Sequence, residues 1–88
     1  MERRSLRMSV TYYVALPFLT AEGGLVAGQP QECPNERSAI RQADAMARKP
    51  PHVGALAFKR TGDPSLGNFA DATVLQSFGD VPANLDEL

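Results

Sequence analysis

The stretch NERSAIRQADAMARK, residues 35–49, decides the fold because it alone reads as a long helix. Asn35 is a favoured N-cap, with a side chain able to accept from an orphan backbone N–H of the first turn. Glu36 follows where the positive end of the helix dipole favours an anion. Arg48 and Lys49 suit the negative end. Pro50 and Pro51 then forbid continuation, because the residue before a proline is driven out of helical backbone space. Ala39, Ile40, Ala43, Met46 and Ala47 share one apolar arc of roughly 120°, with Arg37, Arg41, Asp44 and Arg48 beside it. Most of that arc is alanine, so the helix is expected to lie close upon a flat partner, a β-sheet.

Strands are expected on both sides of it. Residues 9–18 (SVTYYVALPF) are rich in β-branched and aromatic side chains, alternating Tyr12, Val14, Leu16 and Phe18 with Thr11, Tyr13 and Ala15. Pro17 has no N–H for a ladder, which predicts an edge or an ending there. Residues 20–24 (TAEGG) signal a turn through the paired glycines, and residues 25–32 return antiparallel, weakened by Gly28 and Pro30. Beyond the helix, residues 52–60 (HVGALAFKR) are apolar or small on both faces, as an interior strand requires. Residues 61–68 (TGDPSLGN) read as a loop. Residues 69–78 (FADATVLQSF) fit a strand better than the alternative helix from Asn68 to Gly79, given Thr73, Val74 and two phenylalanines.

The expectation is an α+β domain: a four-stranded antiparallel sheet with one helix packed on one face, in the order ββαββ. Residues 1–8 form an N-terminal extension, 9–80 the domain and 81–88 an acidic tail pinned by Val81 or Leu85. Met8 is a candidate initiator. Without residues 1–7, six basic face nine acidic side chains, against a net charge of −1 for the 88-residue chain. That balance disfavours a general nucleic-acid binder. At this length a core is thin. With 43% hydrophobic and 22% charged residues, nothing points to disorder. No apolar run reaches the roughly 20 residues of a membrane span. The terminal Leu-Asp-Glu-Leu resembles an endoplasmic-reticulum retrieval signal, but with no signal-type segment preceding it the expected location is the cytoplasm.

The inventory of reactive groups is short. No phosphate-binding glycine loop, nucleophile elbow, Cys-x-x-Cys or metal-spaced histidine pair is present. No catalytic, cofactor or metal residues are therefore expected. Asp63, Asn68 and Asp71 offer oxygens, but their spacing matches no calcium loop. Cys33 and His52 are the single cysteine and single histidine; a thiol near a helix N-terminus gains acidity, while a lone cysteine also serves as a small packed hydrophobe. The helix stripe of Arg37, Arg41 and Arg48 is the candidate partner-binding set.

Several short runs carry a likeness: Tyr-Tyr-Val-Ala-Leu-Pro at 12–17, the Ala-rich helix 38–48, Gly-Ala-Leu-Ala-Phe at 54–58, Arg-Thr-Gly-Asp-Pro at 60–64 and Phe-Gly-Asp-Val-Pro at 78–82. On these the chain resembles small uncharacterised bacterial ββαββ domains of unknown function. The likeness covers residues 8–88 and implies that architecture without assigning a site.

The function expected is a non-enzymatic interaction or regulatory module. Its partner is a protein, or a second copy met through an open sheet face or an edge strand. Tyr13 and Ala15, with one face of residues 53–57, are expected to form the exposed apolar patch. The alternatives are a small-ligand or thiol site near Cys33 and His52, between the 61–68 loop and the helix start, and weak nucleic-acid docking on the arginine stripe.

Overall fold

The computed structural model describes residues 9–63 and 67–83. The elements are β1 (Val10–Ala21), β2 (Gly24–Ala27), β3 (Gln31–Cys33), α1 (Glu36–Arg48), β4 (Gly54–Asp63), β5 (Asn68–Phe69) and β6 (Thr73–Gly79). The chain is α+β, with one helix against an open, wholly antiparallel sheet. The four expected strands become six segments, because both outer ribbons are broken. On one side of β1 run β2 and β3; on its other side lies β4, which pairs in turn with β5 and β6.

The first hairpin closes on Glu22 (φ 52) and Gly23 (φ 82) between the paired Ala21 and Gly24. Two positive φ values in a two-residue loop match the right-handed twist of the strands they join. The return strand, expected as one piece, breaks at Gly28, Gln29 and Pro30. That gap explains a second difference. β1 runs through Pro17 to Ala21 instead of ending at the proline. The Pro17 carbonyl accepts from the Gly28 N–H (2.8 Å), so the backbone polar side of Pro17 faces the gap. A residue's N and O point the same way in an antiparallel strand, so the missing N–H removes no bond to β4.

α1 keeps its expected ends. Asn35 is extended (φ −156°) and its Oδ1 accepts from the Ser38 N–H at 2.8 Å, with Glu36 in the first turn and Arg48 in the last. Ala39 and Ala43 are wholly buried against Ala15, Ala55 and Ala57, with Cys33 completing the cluster. Tyr13, Ile40, Met46, Ala47, Leu75 and Phe78 ring it. Small side chains on both surfaces bring the helix axis close to the sheet.

That packing corrects the expected patch: Tyr13 and Ala15 face the helix, as do Ala55 and Ala57, and the alternate set faces away. Residues 61–68 are also less of a loop than expected. β4 continues to Asp63, and Gly67 (φ 68) leads into β5; part of that connection lies outside the described residues. The 69–78 region is extended, interrupted at residues 70–72, with a bulge where Ala57 pairs with Gln76 and Phe58 with Val74. The 1–8 extension and the end of the acidic tail lie outside the described residues.

Beyond β6, Gly79 (φ 68) turns the chain inward and the Asp80 N–H bonds to the Val53 carbonyl (2.9 Å). A Cβ on Gly54 would collide with the backbone of Asp80. By register Gly54 pairs with Phe18, on the face away from α1. The chain after β6 therefore crosses that face at one end. Phe18 (4% exposed) and Leu56 (0%) are buried at this end although no helix covers them.

Candidate functional site

The rest of that face is a partly exposed apolar surface with no helix over it. Register places Val10, Tyr12 and Val14 of β1 beside Gly62, Arg60 and Phe58 of β4. Phe69 and Val74 extend it from the outer ribbon, and Glu32 from β3. Phe69 is 41% and Val74 39% exposed, while Tyr12, Val14 and Phe58 are half-buried. The Tyr12 and Phe69 rings meet at 5.9 Å between centroids and 47° between planes. This pair stiffens one corner of the face, since tilted aromatic contacts add to simple area burial.

Cys33 and His52 are not brought together. One precedes α1 and the other follows it, so about 20 Å of helix separates their ends. Cys33 is buried, its Sγ 3.7 Å from the Gln31 carbonyl. Burial raises the thiol above its ordinary 9.0; the Ala15 backbone contact lowers it and the Glu32 charge raises it further. Cys33 behaves as a packed hydrophobe. A disulfide-exchange reagent at pH 8 is expected to modify it at least about tenfold more slowly in the folded than in the unfolded chain. The sign follows for stability: the raised value favours the native state fully below the unfolded thiol's pKa. That contribution is lost as pH rises from about 9.0 through the folded value. Equal modification rates for folded and unfolded chain contradict this account.

His52 lines a groove of about 380 Å³ with Pro17, Gln31, Gln42, Met46 and Lys49. Its polar groups are largely spoken for. The His52 Nδ1 lies 3.1 Å from the Met46 carbonyl, which only accepts, so Nδ1 carries the proton. Gln42 Nε2 donates to Gln31 Oε1 at 3.0 Å and ties the helix to β3. The groove is a joint between elements, and the described residues that line it include no acid to orient the imidazole for proton transfer.

The arginine stripe divides. Arg48 forms a forked pair with Asp44, Nε to Oδ1 at 3.0 Å and Nη2 to Oδ2 at 3.2 Å. Among the described residues Arg37 and Arg41 have no ion-pair partner, and they flank Ile40 in a shallow hollow with Glu36. Two exposed cations beside an acid make a weak field for a polyanion. Among the described residues no three His, Cys, Asp or Glu side chains gather to hold a metal, and no helix is long and apolar enough to cross a membrane.

The surface that sequence reading misassigned is the one made by Tyr12, Val14, Phe58, Phe69 and Val74. The signal for it was the alanine content of residues 55 and 57: a helix faced with alanine selects the alanine-bearing side of the sheet and leaves the bulkier side outward. No protein-family model, curated protein or solved structure matches the chain.

Proposed function

We propose that this protein is a small non-enzymatic interaction module that docks a protein through the sheet face opposite α1. What supports the reading is the exposure of Phe69 and Val74 at the border of a row holding Tyr12, Val14 and Phe58. A contiguous apolar area on a domain this small is costly in water and is relieved by association. The core under the helix is mostly alanine, so the bulky side chains that remain must find cover elsewhere. We extend this to membership of the small bacterial ββαββ domains that the sequence resembles, with each outer ribbon here broken into two strands.

A photo-crosslinking residue placed at Phe69 or Val74, and a control at Arg41 on the helix, tests it in the native cell. Adducts are expected from positions 69 and 74 and not from 41. Adducts only from 41, or none from either face position, overturn the reading.

A further inference from the structure

The same face has a pattern that fits itself. Four ribbons lie side by side in the order β3, β1, β4, β6, and one row across them is Glu32, Val14, Phe58 and Val74. The next row is Tyr12 and Arg60. A two-fold axis parallel to the strands and midway between β1 and β4 exchanges β1 with β4 and β3 with β6. Val14 then stands over the second copy's Phe58, small against large, and Tyr12 over its Arg60, an arrangement of ring and guanidinium that attracts. Glu32 comes down beside the second copy's Val74, diagonally across from its Arg60, so an acid and a base of the face approach across the interface. A face that supplies its own shape and charge complement is the condition for an isologous dimer.

Resting on the reading of this face as an interaction surface, we infer that its occupant is a second copy of the chain, stacked sheet on sheet with the helices outermost. The ribbons, spaced about 4.8 Å, and six residues at about 3.4 Å give a projected contact of about 400 Å² per copy. That is small for a specific complex, so the dimer is expected to be weak and reversible.

Sedimentation equilibrium of the purified full chain from about 1 to 300 µM is the test. A reversible monomer–dimer equilibrium is expected. Val74→Glu sets a carboxylate opposite the second copy's Glu32 and is expected to weaken the dimer at least about tenfold. Adding Glu32→Arg to that variant is expected to restore association, because the new charges attract across the interface. Within one copy the two positions lie about 14 Å apart across β1 and β4, so intramolecular repair is not available. Both side chains sit at exposed positions, and circular dichroism of each variant is the check that it folds. A monomer at every concentration overturns self-association but leaves the crosslinks at 69 and 74 to stand or fall on their own. A dimer indifferent to Val74→Glu, or one that Glu32→Arg fails to restore, is joined elsewhere, the β6 edge included, and overturns the proposal.

Discussion

Gly54→Ala is expected to cost about 3 kcal/mol of stability, at the upper end for adding one methyl to a packed site. The added Cβ would collide with the Asp80 carbonyl oxygen and backbone nitrogen, and both belong to backbone that cannot swing aside as a side chain does. The chain following Gly79 would have to lift off β4. That would break the bond from the Asp80 N–H to the Val53 carbonyl and admit water to Phe18. Denaturant unfolding measures the loss. Gly24→Ala is the control, because an added Cβ there meets nothing within 4 Å and Gly24 has ordinary strand backbone. A Gly54→Ala midpoint close to that of Gly24→Ala would mean that the tail does not cross here.

Such crossings were hidden in the sequence for a physical reason. Gly54 sits in a run of small and apolar residues, where a glycine reads as one more compact member of a buried strand. What requires it is the close approach of a backbone that arrives from the far end of the chain. The helix was legible because its signals are local: Asn35 at the cap, Glu36 and Arg48 at opposite ends, alanines at one spacing and two prolines as a stop. The interior character of β4 was legible too, since Gly54, Ala55, Leu56 and Ala57 are apolar or small on both faces and all are buried.

Alternation along β1 was also legible, but not its direction. Period two separates Tyr12, Val14, Leu16 and Phe18 from Tyr13, Ala15 and Pro17 without saying which set meets the helix. Bulk argues for the first set inside; fit to an alanine-faced helix argues for the second, and fit won. The same limit applies to the candidate sites. Cys33 and His52 stand out as single reactive residues, yet the helix between them, whose length the sequence already fixes, holds them beyond its opposite ends. The arginine stripe shares one helix surface as its spacing requires, but the Asp44 fork on Arg48 neutralises a third of it.

Leu56→Ala is expected to destabilise the fold by about 3 kcal/mol, within the 2–5 kcal/mol seen when a fully buried leucine loses its side chain and leaves a cavity. The position is unusual because its side chain points away from α1 and is nonetheless inaccessible to solvent. It therefore reports on a second, smaller core on the face away from α1, which holds Phe18 as well and adjoins Gly54, over which the Asp80 backbone passes. Thermal or denaturant unfolding of Leu56→Ala measures the effect against Val26→Ala, whose side chain is 44% exposed and whose loss is expected to stay below about 0.5 kcal/mol. If the cover over Leu56 were loose, the neighbouring chain would collapse into the space and the cost would fall toward the transfer term alone, about 2 kcal/mol. A cost equal to that of Val26→Ala would place Leu56 in water and remove the second core altogether. The docking surface would then extend along the whole length of β4, and the tail could not mark where it ends.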